Sequence, residues 1–227
     1  MPLSVGTALD AYVQQFPPFA CSVGVTGVDP DEADIQHFGT ASVPDDDSLW
    51  QIASVTKTFT TTLAALLALQ GKLDLEAPVT SVLPDAALPD AVTVARLATH
   101  TSGLARQPID IVSSPGFSSC TPFAHYSKAD LRNYLENVLE VNETRIGEFS
   151  YSNTGIATLG LVIEAVTGLP YEQVLTEEIL QPLGMNDTYL TPPPLLPEQL
   201  ARVATPYLQV RGLAMFDQRV DFVSFAA

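Results

Sequence analysis

Lysine is scarce in this 227-residue chain: Lys57, Lys72 and Lys128 are the only ones. With 10 basic against 26 acidic residues the formal net charge is −16. That argues against nucleic-acid and anionic membrane partners, because both attract basic faces. Cysteine is nearly absent as well. Cys21 and Cys120 stand alone without a CxxC spacing, so neither a zinc ribbon nor a disulfide framework is indicated. Cys21, in "FACSVGV", reads as a core residue. His37, His100 and His125 are scattered with no HExxH-type spacing, and no metal site and no cofactor is indicated. No apolar run reaches the about 18 residues of a membrane-spanning helix. The N-terminal "MPLSVGTALDAYVQQF" lacks a basic segment followed by an apolar one. It reads as an amphipathic helix (Leu3, Leu9, Tyr12, Val13, Phe16) and not as a signal peptide. That makes the cytoplasm a default only and assigns no compartment.

What is present suits a globular protein. Hydrophobic residues make up 46% of the chain and charged residues 16%, enough apolar material for a sizeable core. "FACSVGVTG" and "ADIQHFGTAS" read as two strands joined by a polar turn at residues 29–32. A helix then begins at Ser54, runs through "SVTKTFTTTLAALLALQ" and stops at Gly71. Its apolar and small residues cover nearly every side from Thr62 to Leu69, which predicts burial all round. Further helices follow in "PDAVTVARLATH", in "SKADLRNYLENVLE" with Ser127 as N-cap, in "GIATLGLVIEAVTG" ending at Gly168, and in "PYEQVLTEEILQPLGM". The proline-rich "TPPPLLPEQL" reads as a rigid connector.

These elements divide the chain into three parts. Residues 1–55 hold the first helix and two strands, residues 56–195 a helical domain, and residues 196–227 a connector and an incomplete end. A lone two-stranded hairpin is marginal in water and leaves its edges open to pairing. Self-association through this unfinished sheet is therefore expected unless something covers it.

Three groups of residues carry potential chemistry. Ser54-Val-Thr-Lys57 is a Ser-x-x-Lys sequence, and residues three apart share a helix face. Serine is a weak nucleophile until a base takes its proton. Lysine can be that base if burial disfavours its ammonium form. The other reading of the tetrapeptide is Ser54 as an N-cap with Lys57 reaching into water. Tyr151-Ser-Asn153 sits in a loop before a helix, where a phenol can relay a proton and an amide can hold a substrate. The plainer reading has Asn153 capping the helix with Tyr151 packed against it. In "THTSGLA" His100 lies beside Ser102, but no G-x-S-x-G elbow accompanies them, so His100 reads as a structural loop residue and not as a general base.

Taken in order, Ser54-x-x-Lys57, "HTSGL", Tyr151-Ser-Asn153 and "PLGMNDTYL" resemble the serine β-lactamase and penicillin-binding-protein superfamily. The YxN form is similar to that of its class C β-lactamase, D-alanyl-D-alanine carboxypeptidase and esterase branch. "GKLDLEAPVTSVLPD" and "YSNTGIATLGLVIEAVTGLPYEQVL" extend the likeness over residues 8 to 207. The resemblance implies a mixed α and β fold of the β-lactamase/transpeptidase type, with a helical domain plus the N-terminal part of an antiparallel sheet. It implies a serine hydrolase working through an acyl-enzyme on an amide or ester carbonyl of a small molecule or peptide: a β-lactam, a D-amino peptide or an ester. Ser54 would be the nucleophile, Lys57 its base, Tyr151 a second proton carrier and Asn153 the holder of the substrate amide. The Ser54 N–H would supply half of the oxyanion hole. The family also needs a Lys-Thr-Gly or His-x-Gly strand, and no such tripeptide follows Tyr151. The expectation is thus a C-terminally truncated homologue, the alternative being a non-catalytic remnant used for binding or assembly.

Overall fold

The computed structural model describes residues 20–25, 34–39, 44–117, 123, 125–190 and 197–204. They fall into two compact units: those up to Gln51 together with residues 197–204, and those from Ile52 to residue 190. The expected first helix, the turn at 29–32, most of the connector and the end from residue 205 lie outside the described residues. So do the Cys21 side chain and Cys120.

In the first unit, β1 (Ala20–Val25) and β2 (Asp34–Gly39) pair antiparallel with Ser22 opposite His37 and Val23 opposite Gln36. Among the described residues these two strands are the whole sheet. On one face Ser22 Oγ meets His37 Nδ1 at 2.8 Å, and His37 Nε2 meets Asp46 Oδ1 at 2.8 Å. The part of the connector that is described is helical. Pro197 opens that short helix (Pro197–Arg202), a position where its missing N–H costs nothing and its fixed φ suits the first turn. Beyond it Leu49 and Val203 form a parallel bridge.

The second unit is helical: α1 (Thr56–Leu69), α2 (Val94–Ala98), α3 (Lys128–Asn133), α4 (Asn153–Thr167) and α5 (Tyr171–Leu175). With α6 (Pro197–Arg202) of the first unit they give a mixed α and β chain. Side-chain chemistry sets the helix ends. Ser127 accepts from the Asp130 N–H while Asp130 accepts from the Ser127 N–H, a reciprocal cap on α3. α3 then runs on as a π turn over Tyr134–Val138. At the end of α1, Gly71 N–H bonds the Ala68 carbonyl and Lys72 N–H the Leu67 carbonyl. This double closure needs a left-handed residue, and Gly71 has φ 70°.

α4 is the centre of the unit. It is buried without a break from Thr154 to Ile163, and α1, α2 and α5 pack against it. α1 differs from its sequence reading on two counts. Its α-helical hydrogen bonding starts at Thr56, preceded by a 3₁₀ turn over Ala53–Val55 that contains Ser54. Nor is it buried all round. Thr60, Leu63, Ala64 and Leu67 face the core, while Thr58, Thr62, Ala65 and Leu69 form an exposed stripe. That stripe follows the same i, i+3, i+4 spacing as the buried one, but threonine and alanine do not mark it as polar. Thr60 and Tyr171 share a buried hydrogen bond of 2.8 Å that fastens α1 to α5. Desolvation pushes the Tyr171 phenol up to about 12, although the Thr60 bond opposes it. Among the described residues no single helix is long and apolar enough to cross a membrane.

Candidate active site

Ser54 reaches its position through a strained backbone. Ala53 before it has φ 45°, in the left-handed region that non-glycine residues avoid. The chain turns there, and Ser54 enters the 3₁₀ turn at the mouth of α1. Its side chain caps nothing, since the residue at the α1 N-cap position is Val55. The Ser54 N–H has no backbone partner among the described residues, as expected at the open end of a helix.

One helical turn on, Lys57 Nζ donates to Ser54 Oγ at 3.3 Å. The other two lysines are engaged in ion pairs, Lys72 with Glu178 and Lys128 with Glu164. Among the described residues Lys57 has no such carboxylate.

Tyr151 arrives from the opposite side, on the loop that leads into α4. Its hydroxyl donates to Ser54 Oγ at 2.8 Å, and Lys57 Nζ lies 5.3 Å from the ring centroid. The serine, lysine and tyrosine picked from sequence therefore meet at one oxygen atom. Asn153 is the first residue of α4, half-buried, and does not cap it. Ser152 is the cap instead, its Oγ accepting from Gly155 N–H at 2.9 Å and donating to the Ala105 carbonyl at 2.7 Å. Ser152 has the extended backbone that an N-cap needs (φ −134°, ψ 115°). The Asn153 N–H donates to the Arg106 carbonyl at 2.8 Å, and its amide side chain makes no hydrogen bond among the described residues.

The loop carrying Tyr151 is laced to the segment after α2. The His100 carbonyl accepts from Ser150 N–H at 2.7 Å, and the Thr101 carbonyl from Gly147 N–H at 2.8 Å. His100 Nδ1 accepts from Ser152 N–H at 3.2 Å, so in the neutral ring the proton sits on Nε2. The His100 ring lies over Tyr151 with centroids 4.6 Å apart and meets Phe149 edge-on at 6.0 Å. Its φ of 60° is left-handed, a conformation in which histidine is enriched among non-glycine residues. Burial first, and then the Lys57 charge, hold the imidazole below its ordinary value of 6.5. Two loops come closest at Gly103, where a Cβ would sit 2.9 Å from the Asn142 carbonyl oxygen. With φ 75° the position favours glycine doubly.

Electrostatics at Tyr151 run in two directions. Desolvation raises the phenol, but the hydrogen bonds to Ser54 and Lys57 and the charges of Lys57 and Arg106 together outweigh it. The phenol ends below its ordinary value of 10.0. Arg106, which sequence reasoning passed over, places its guanidinium carbon 4.9 Å from the Tyr151 ring centroid. Nothing in the local sequence marks an arginine following "HTSGLA", one of seven in the chain.

Comparison with known proteins returns a consistent answer. A sequence model of the family described as β-lactamase matches residues 26–220. A β-lactamase of Providencia stuartii is 34% identical over 189 residues, which cover 79% of this chain and 44% of that protein. The D-alanyl-D-alanine-carboxypeptidase/endopeptidase AmpH of Escherichia coli (strain K12) is 31% identical over 156 residues, 66% of this chain and 39% of that one. Among solved structures, a class C β-lactamase from Rhodobacter sphaeroides superposes with a TM-score of 0.71 at 25% identity, covering 97% of this chain and 60% of that one. A β-lactamase/D-alanine carboxypeptidase from Yersinia pestis, solved with citrate, gives a TM-score of 0.64 at 29% identity, covering 76% and 50%. The chain thus spans less than half the length of the two curated relatives named.

Proposed function

Since the chain belongs to the β-lactamase family, within the serine β-lactamase and penicillin-binding-protein superfamily, we propose that Ser54 is the nucleophile of a serine hydrolase that forms an acyl-enzyme. The substrate is an amide or ester carbonyl, in a β-lactam, a D-amino peptide or an ester. The observation that carries this reading is the convergence of Lys57 Nζ and Tyr151 OH on Ser54 Oγ, at 3.3 and 2.8 Å. In the proposed step Lys57 acts from its neutral amine form, taking the hydroxyl proton and becoming an ammonium as the Oγ–carbonyl carbon bond forms. The carbonyl–leaving-group bond then breaks, and Tyr151 delivers a proton to the departing nitrogen or oxygen. Lys57 re-protonates Tyr151, so no proton is gained or lost overall. Water later cleaves the ester on Ser54. The Ser54 N–H, without a backbone partner among the described residues, suits one half of the oxyanion hole, and the Asn153 amide, without a hydrogen bond among them, suits the amide side of the substrate.

The sequence contains no Lys-Thr-Gly or His-x-Gly tripeptide after Tyr151, so the proposal assigns the serine–lysine and tyrosine–asparagine parts of the site. Incubation with a fluorescent penicillin, nitrocefin and a p-nitrophenyl ester, followed by intact and peptide mass spectrometry, tests it. An adduct on Ser54 from at least one reagent is the expected result. A chain that remains unmodified by all three at millimolar reagent would leave binding, and not catalysis, as its role.

A further inference from the structure

Tyr151 has two cations close to its ring, and the second comes from the segment after α2. Four groups with a charge, a titratable proton or a hydroxyl face its ring and phenol among the described residues. Ser54 and Lys57 come from the start of α1, and His100 and Arg106 from the segment after α2. Lys57 and Arg106 are the charged pair, at 5.3 and 4.9 Å from the ring centroid.

The Arg106 backbone is pinned on both sides by the tyrosine loop. The carbonyl of Ala105 accepts from Ser152 Oγ and that of Arg106 from the Asn153 N–H. The side chain starts from a fixed point beside Tyr151 and lies against the ring, although it is exposed and joins no ion pair among the described residues. A guanidinium over an aromatic face is attracted by the ring quadrupole, and the attraction grows once the phenol gives up its proton and the ring becomes an anion.

We infer that Arg106 is a positioning residue of the Ser54 site, which clamps the Tyr151 ring by its face and stabilises the phenolate together with Lys57. This rests on the reading of Tyr151 as a proton carrier. It adds that the tyrosine, with two cations close to its ring, is prepared to accept as well as donate. Arginine suits this better than lysine, because its planar group stacks while an ammonium acts as a point charge.

The test needs no substrate, so its failure is separable from a failure of the acylation reading. The full chain is labelled with ¹³C at the tyrosine Cζ and titrated by NMR, with Tyr151→Phe identifying the signal. Arg106→Gln is expected to raise the Tyr151 midpoint by about half a pH unit, and Arg106→Lys by less. In the unsubstituted chain, raising salt from about 0.1 M to about 1 M shortens the screening length from about 10 to about 3 Å. That should move the midpoint upward too, and more than it does in Arg106→Gln. A midpoint that is the same in Arg106→Gln and the parent, with thermal melts that coincide, overturns the inference. Should the variant not fold, a parent midpoint indifferent to salt overturns it equally. Intact labelling of Ser54 together with an unmoved midpoint would leave the hydrolase standing and remove Arg106 from it.

Discussion

Two serines of this chain head hydrogen-bonded relays, and the less familiar-looking one is the better candidate for chemistry. Ser22 is joined to His37 and through it to Asp46, at 2.8 Å each. By residue type this is the Ser–His–Asp order that general base catalysis employs. Ser54 is joined to Lys57 and Tyr151. The difference lies in how each arrangement arises. Ser22 and His37 face each other because the strand register puts them opposite, as it would any pair on that face. The acid at the far end, Asp46, is 86% exposed in its side chain, where water screens it. Ser54 instead stands at an open helix end after a strained residue, with two cations around its tyrosine partner. A relay alone is common; what sets Ser54 apart is positive charge and its own N–H, without a backbone partner among the described residues, where negative charge would develop.

The largest effect should separate the two serines outright. Ser54→Ala is expected to abolish the mass adduct, while Ser22→Ala leaves its yield and site unchanged. An adduct that survives in Ser54→Ala but is lost in Ser22→Ala would invert the comparison. Next in size, Lys57→Ala should slow acylation about 10²–10⁴-fold, the range typical of losing a general base, with the helical CD signal retained. Acylation at the parental rate in that variant would place the base elsewhere.

The smallest effect concerns pH. Burial and then the Lys57 charge hold His100 below 6.5, so near that pH the unfolded chain binds more protons than the folded one. Stability therefore rises with pH through this window and falls as the pH drops below 6.5. His100→Asn keeps a residue tolerant of φ 60° and removes the titrating group. The difference between melting temperatures at pH 7.5 and 5.5 should shrink in the variant. Equal pH dependence in both proteins would show that His100 is not a source of it.

The comparison also explains what the sequence could convey. Ser54 and Lys57 were legible because a three-residue separation on a helix is a distance, and the Ser127 cap and the stops at Gly71 and Gly168 are equally local. The hairpin was legible from alternation and turn residues. What escaped notice depends on contacts between segments far apart in the chain. The exposed stripe of α1 is written in threonine and alanine, which suit either environment. The choice of Ser152 over Asn153 as cap turned on backbone angles that both residues can adopt, and on the Ala105 carbonyl being within reach. Arg106 matters only where its loop meets that of Tyr151, a meeting no local pattern encodes. Residues 191–196 of the connector fall outside the described residues.

The unbroken burial of α4 gives the site an uneven mechanical character. Tyr151 hangs from the entrance of a helix whose amides, from Thr154 to Ile163, are shut away from solvent. Those amides should exchange with deuterium only when the whole unit opens. Ser54 hangs from a short 3₁₀ turn with no side-chain cap, leading into a helix open along one side, where small local openings suffice. The two halves that meet at the serine oxygen should thus differ in compliance, the tyrosine side being the stiffer. On the reading proposed above, a substrate entering between them would be met by movement of Ser54, against a tyrosine that stays where it is.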